Sequence, residues 1–239
     1  MAEKKKIYTS FHDIPPREYM YFPKGTLEMG RPGRFSRIEV VHLLIAMGVL
    51  TLAFSFALTK NNLFFGFNLE ELLAFIPVSF LGIVTAFFVH ELSHKFMAQK
   101  YGLWSEFRMY PKGLLLSLFL AIFTGFVFAA PGAVMFRGDT RTFETGRIAA
   151  AGPAANIVIG GISFFLYRFV FFEMDFAGRI FGFISLVNIL LATFNLLPFG
   201  PLDGVKVIRW NGIVWSILFA LSIILLVLIF SRGLLLPGF

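Results

Sequence analysis

The sequence contains no cysteine and few charged residues for its length. Of its 239 residues, 15% are charged and 57% are hydrophobic, whereas a soluble globular protein carries about 25% charged residues. Because so few charges cannot cover so much apolar surface in water, the composition predicts an integral membrane protein. The absence of cysteine excludes disulfides and thiolate metal ligands.

The first part of the chain also lacks an apolar run. A signal peptide needs an apolar core near the beginning of the chain, and none precedes Val40, so no cleavage is expected. Residues 1–37 are polar and basic and are predicted to form an irregular cytosolic arm. The rest, 38–239, is expected to be a single membrane-embedded domain.

Five apolar stretches are long enough to cross a bilayer as helices, which takes about 20 residues. They are Val40–Thr59, Leu73–Lys95, Ile148–Tyr167, Ala177–Leu197 and Ile213–Phe230. A sixth stretch, Leu114–Phe136, is ambiguous. The pattern therefore predicts an all-α polytopic membrane protein with five to six transmembrane helices.

The net charge of +7 is distributed by loop in a way that indicates orientation. With the N-terminus in the cytosol, the inner segments 1–39, 95–147 and 205–209 hold 17 of the 21 Lys and Arg residues. This agrees with the positive-inside rule if Leu114–Phe136 does not cross the membrane once. We therefore expect a multi-pass protein of the cell membrane in contact with the lipid bilayer, and no nucleic-acid partner.

The ambiguous stretch divides at Thr124-Gly125 into two runs of about ten residues, each too short for a helical span. Two such runs favour a re-entrant β-hairpin that enters and leaves on one side. Its backbone groups would find their hydrogen bonds within the protein, as membrane depth requires. The alternative is an ordinary sixth span, which would separate the catalytic residues described next.

The candidate catalytic residues lie at the end of the second span, in the H-E-x-x-H motif His90-Glu91-Leu92-Ser93-His94. On a helix, positions i and i+4 share a face, so both imidazoles can reach one Zn²⁺. Glu91 can then act as the general base. The alternative is a pair of hydrogen-bonded histidines beside a surface Glu, but ionisable residues within a membrane are costly and usually functional.

A catalytic zinc ion takes three protein ligands and one open position. Asp203 is the third candidate, because it follows the fourth span and reaches the same membrane face as His94. By itself, the sequence around Asp203 would indicate only a helix-terminating turn. Asn195 precedes it by one to two helical turns and could donate a hydrogen bond to the developing oxyanion or join helices. Asn156, within the third span, could face the site or serve packing.

Three motifs together resemble the site-2 protease family of intramembrane zinc metalloproteases. They are His90-Glu91-Leu92-Ser93-His94, Gly152-Pro153-Ala154-Ala155-Asn156, and Asn195-Leu196-Leu197-Pro198 followed by Leu202-Asp203-Gly204. The resemblance covers about residues 73–209 and implies a three-helix catalytic core. It also implies that His90, His94 and Asp203 bind one zinc ion, that Glu91 is the base, and that the substrates are transmembrane helices of regulatory proteins.

The chain departs from the family pattern in three respects. The segment between Lys100 and Gly146 leaves no room for the PDZ domain of many bacterial members, the apolar hairpin is long, and the basic arm matches nothing in the pattern. Two other functions compete with proteolysis. One is a membrane scaffold with structural zinc, for which His42 would be the fourth ligand; the other is a transporter, although no internal repeat is present.

Overall fold

The computed structural model describes residues 35–59, 68–127, 131–137, 140–171 and 176–231. The predicted cytosolic arm lies almost wholly outside these residues. Five helices in the described part are long and apolar enough to cross a membrane: Arg37–Leu58, Leu69–Lys100, Thr142–Val170, Phe176–Asn195 and Gly212–Ser231. The prediction of an all-α polytopic membrane protein is therefore confirmed, with helix bounds that differ from those of the five predicted stretches by at most six residues.

The spans begin at recognisable caps. The first helix, α1 (Arg37–Leu58), follows Ser36, whose side chain accepts a hydrogen bond from the backbone N–H of Glu39. In the second span, α2 (Leu69–Ile83) begins after Asn68, which caps the N–H of Glu71 in the same way. The span continues through a π-helical turn, 84–88, into α3 (Val89–Lys100). Such π turns are frequent at functional sites.

The segment between the second and third spans differs from the prediction. Two antiparallel strands, β1 (Trp104–Met109) and β2 (Gly132–Arg137), flank a short helix, α4 (Pro111–Thr124). The first run of the ambiguous stretch is therefore helical, and the partner of β2 lies before that stretch. The first run is rich in leucine, which has a high helix propensity, whereas polar and apolar residues alternate from Glu106 to Met109 in β1. With 14 residues, α4 extends roughly 21 Å and is too short for a sixth span.

The third span, α5 (Thr142–Phe165) with its π-helical continuation 166–170, contacts most of the functional elements. It packs against α3, against α6 (Phe176–Asn195) and against the short α7 (Asp203–Trp210). The last span, α8 (Gly212–Ser231), lies against α5, α6 and α7. This central place of α5 brings the ends of α3 and α7 together.

The register of the sheet determines which backbone groups face outward. Phe107 lies opposite Val134. The N–H of Phe107 donates to Glu39, and that of Val134 donates to Glu91. Because both N–H groups point away from the sheet, this is a non-hydrogen-bonded pair. One edge of the hairpin therefore meets α1, and the other meets the H-E-x-x-H helix.

Candidate active site

The two histidines of the motif lie one turn apart on α3 and face the same way. His90 is 3% exposed and His94 is 8% exposed. Their Nε2 atoms are 2.9 Å apart. The geometry expected from the i, i+4 spacing is therefore present, inside the bundle rather than on its surface.

Asp203 meets both imidazoles from the beginning of α7. Its Oδ2 atom is 3.0 Å from Nε2 of His94 and 3.5 Å from Nε2 of His90. Ligand atoms about 2.0–2.1 Å from a tetrahedral zinc ion are separated by about 3.3 Å. The three atoms thus form a triangle of the size that a single zinc ion requires, and these residues could hold a metal ion.

Gly204 allows Asp203 to take this place. A Cβ atom at position 204 would overlap the backbone carbonyl groups of Leu196 and Leu197. Any side chain there would push α7 away from the end of α6, and Asp203 with it. Glycine is therefore required at position 204 by the close approach of these two segments.

The other ring nitrogen of each histidine is fixed by a hydrogen-bond acceptor. Nδ1 of His94 lies 2.7 Å from the backbone carbonyl of Ile148, and Nδ1 of His90 lies 2.5 Å from Oδ1 of Asn156. A carbonyl only accepts, so Nδ1 of His94 carries a proton. Partners of this kind orient metal-binding histidines and set their tautomer.

Two buried amides, those of Asn156 and Asn188, continue the hydrogen-bond network behind His90. Nδ2 of Asn156 donates to the carbonyl of Ala86 at 2.9 Å and to Oδ1 of Asn188 at 2.8 Å. Nδ2 of Asn188 donates in turn to the carbonyl of Ile184 at 2.8 Å. Because the backbone carbonyls accept only, they determine which amide atoms are nitrogen. Oδ1 of Asn156 must therefore accept from Nδ1 of His90.

These hydrogen bonds leave the Nε2 lone pairs directed at Asp203. Three electron-rich atoms at 2.9–3.5 Å repel one another unless a positive charge lies among them, either a proton on an imidazole or a metal ion. Burial opposes ionisation of Asp203, but its interactions with the His94 and His90 side chains hold the pKa of the carboxyl well below its usual range. The donors are therefore one carboxylate and two imidazoles with preset tautomers, which is a set that suits zinc.

Gly152 brings α5 against this cluster. A Cβ atom at position 152 would lie 2.5 Å from Nε2 of His94 and 2.7 Å from Nε2 of His90. The first residue of the Gly-Pro-Ala-Ala-Asn motif therefore leaves space for the metal-binding atoms. Its last residue, Asn156, orients one of them.

Glu91 lies beside the cluster and is held by β2. It is 8% exposed, and its Oε2 atom accepts a hydrogen bond of 2.9 Å from the backbone N–H of Val134. A carboxylate next to a metal-sized triangle, on the side where the hairpin approaches, is suitably placed for proton transfer.

Lys206 forms an ion pair with the second carboxylate oxygen of Asp203. Its Nζ atom lies 3.2 Å from Oδ1 of Asp203, while Oδ2 faces the imidazoles. The lysine side chain is 41% exposed. One carboxylate oxygen therefore remains directed at the metal position.

Comparison with known proteins places this site in a family. Over 187 residues the chain is 39% identical to a protein of Methanocaldococcus jannaschii named "Putative zinc metalloprotease MJ0611", covering 90% of that protein and 77% of this chain. The chain belongs to the zinc metalloproteases. It is also 30% identical to "Putative zinc metalloprotease YwhC" of Bacillus subtilis, over 57% of this chain and 70% of that protein.

The match to a third relative covers a smaller share of that protein. "Zinc metalloprotease MJ0392" of M. jannaschii is 30% identical over 56% of this chain, but the match spans 34% of that protein. No family model and no solved structure matches the chain. The assignment to the metalloproteases therefore rests on the sequence relatives, and it agrees with the donor set that the fold assembles.

Two expectations for the metalloprotease site have different outcomes in the geometry. The amide of Asn195 donates to the carbonyl of Leu191 at 3.0 Å, within its own helix, so its role as an oxyanion donor stays a prediction. His42 is absent from the group of described residues that could hold a metal ion. The described residues therefore do not supply, through His42, the fourth ligand that the alternative of a scaffold with structural zinc would need.

Sequence reasoning missed two groups around the metalloprotease site. Asn188 is fully buried in α6, and an amide in the middle of an apolar span is the signal that could have identified it. The backbone N–H of Val134 has no such signal, because its role depends on the sheet register and on how the hairpin lies against α3.

Proposed function

We propose that this metalloprotease is an intramembrane endopeptidase of the site-2 type, without a PDZ domain, that cleaves transmembrane segments of membrane-anchored regulatory proteins. The observation that carries the proposal is the position of the site. His90 and His94 lie inside a helix of 32 residues that is long and apolar enough to span a bilayer. A site within a membrane-spanning helix favours a substrate that is itself in the membrane.

Of the 21 Lys and Arg residues, 17 lie in the segments assigned to the inner side of the membrane. This distribution supports a cytosolic N-terminus and a site near the cytosolic face of the cell membrane. The substrate helix would enter from the lipid and unwind locally. An extended peptide can add to the outer edge of β2 by taking the Val134 N–H from Glu91, because backbone groups pair with backbone groups regardless of sequence. Its scissile bond would then lie beside Glu91.

His90, His94 and Asp203 would hold the zinc ion. Bound zinc supplies Lewis acidity, which polarises a peptide carbonyl and makes water a stronger acid. Glu91 takes the proton of the attacking water and later gives it to the leaving amine. Lys206 keeps Asp203 oriented, and Asn156 and Asn188 keep His90 oriented.

The test is Glu91→Gln in protein reconstituted into liposomes with a membrane-anchored substrate. The amide keeps the size of the side chain but cannot accept a proton, so we expect parent zinc content and cleavage reduced by at least about 100-fold, within the range of general acid–base catalysis. Glu70→Gln is the matched control, because Glu70 is exposed at the beginning of α2. Cleavage by Glu91→Gln at the parent rate would refute the mechanism.

A further inference from the structure

The outer edge of β1 is closed by an ion pair buried between α1 and α3. Nζ of Lys95 lies 2.6 Å from Oε2 of Glu39. Glu39 is fully buried and Lys95 is 1% exposed. Lys95 directly follows His94 in the chain, so the pair connects the motif helix to the first span.

Each member of the pair also binds the backbone of β1. The second carboxylate oxygen of Glu39, Oε1, accepts a hydrogen bond of 3.0 Å from the N–H of Phe107. Lys95 donates to the carbonyl of Ser105 at 3.1 Å, and Oγ of Ser105 donates back to the carbonyl of Lys95 at 3.2 Å. One donor and one acceptor on the outer edge of β1 are thus held by charged groups that cannot slide along the strand.

The position of β1 determines the position of β2. The sheet has two strands among the described residues, with β2 paired to β1 in a fixed register. The outer edge of β2 meets Glu91 through Val134. Successive residues of a strand are about 3.4 Å apart, and only alternate residues direct their backbone groups to the same edge. A slip of two residues at β1 would therefore move a different peptide bond of a paired substrate to Glu91.

The energetics of the pair favour a role in positioning. Removing a carboxylate and an ammonium from water is costly, and apolar side chains of similar volume are often at least as stabilising in such places. Apolar side chains cannot, however, bind one N–H and one carbonyl of a strand at the same time. What the ion pair provides beyond packing is directional attachment of β1.

We propose that Glu39 and Lys95 are positioning residues that fix the register of the hairpin against the zinc site and thereby select the peptide bond that is cut. The inference rests on the proposed intramembrane cleavage. The chemical partner is the extended backbone of the substrate, and the pair acts on it through β1 and β2 without touching it.

The first test replaces both members at once, because removing one would leave a buried charge without its partner. In Glu39→Leu/Lys95→Met, which removes both attachments of β1, we expect the cleavage products of a transmembrane substrate, mapped by mass spectrometry, to spread over nearby bonds at parent zinc content. The matched control is Glu70→Leu/Lys100→Met, at two exposed positions, which should retain the parent cleavage site. A merely structural role would lower the total yield and leave the site unchanged, and that result would overturn the proposal.

A second measurement does not depend on proteolysis. Because the chain has no cysteine, spin labels can be attached specifically at Met135→Cys on β2 and Ile162→Cys on α5, both 57% exposed. The double variant should broaden the distance distribution between these labels, and the control should not. If the double variant fails to fold, Lys95→Arg is judged by the same two criteria, because it keeps a charge opposite Glu39 but presents a longer, planar donor group to β1.

The combined outcomes separate the two proposals. Broadening of the label distances in a protein whose parent cuts no membrane substrate would support the attachment of the hairpin by the pair and refute both the proposed function and the selection of a cleavage site. A parent that cuts one bond, with a double variant that cuts the same bond and shows the same label distances, would refute the positioning role alone.

Discussion

Gly152→Ala should abolish tight zinc binding without unfolding the bundle. The added Cβ would lie 2.5 Å from Nε2 of His94 and 2.7 Å from Cε1 and Nε2 of His90. Ordinary contacts begin at 3.4 Å, so the rings must retreat by about 0.7–0.9 Å, whereas metal–ligand distances tolerate roughly ±0.2 Å. Loss of an outer-shell partner alone costs 10- to 100-fold in metal affinity, so we expect a loss of at least about 100-fold.

The assay is zinc content by mass spectrometry after dialysis against graded concentrations of a chelator. Gly161→Ala is the control in the same helix, since its Cβ would meet only Cδ1 of Leu225 at an ordinary 3.8 Å. It should bind zinc as the parent does and gain roughly 0.5–1 kcal/mol in stability from the loss of a helical glycine. A folded Gly152→Ala protein with parent zinc affinity would refute the ligand geometry.

Two further substitutions test the surroundings of the site. Asn156→Leu leaves Nδ1 of His90 without its acceptor, so zinc affinity should fall by about 10- to 100-fold in the same dialysis assay; unchanged affinity would show that the amide does not orient the ring. Val134→Pro removes an N–H that lies outside the ladder, so the hairpin should persist and zinc content should not change. Hydrogen bonds to charged groups contribute about 1.5–3 kcal/mol, so kcat/KM for the membrane substrate should fall roughly 10- to 100-fold. Val134→Ala is the control. A rise in kcat/KM would mean that the hydrogen bond from Val134 restrains Glu91.

The spans and the first two metal-binding candidates could be predicted because they depend on local periodicity. A run of about 20 apolar residues has few alternatives to a membrane helix, and the spacing of His90 and His94 places them on one helix face whatever surrounds them. The positions of the five spans accordingly agree with the sequence to within a few residues.

The hairpin shows where such local reasoning fails. Two short apolar runs with a glycine between them satisfy the requirements of a β-hairpin, but the leucine-rich first run forms α4. The strand that pairs with β2 is Trp104–Met109, a segment with polar residues that an apolar scan passes over. Strand pairing depends on what the two edges meet, here Glu39 on one side and Glu91 on the other.

The sequence alone thus determined a membrane bundle with an H-E-x-x-H helix and a candidate Asp at a matching depth, since chain periodicity and charge distribution are properties of short segments. Only the tertiary structure decided that Asp203, about 110 residues after His94, meets both imidazoles. It also assigned Asn188 to the support of His90 and the buried Glu39–Lys95 pair to β1. These contacts join distant segments, and their existence depends on close packing of α3, α5, α6 and α7 that no local pattern specifies.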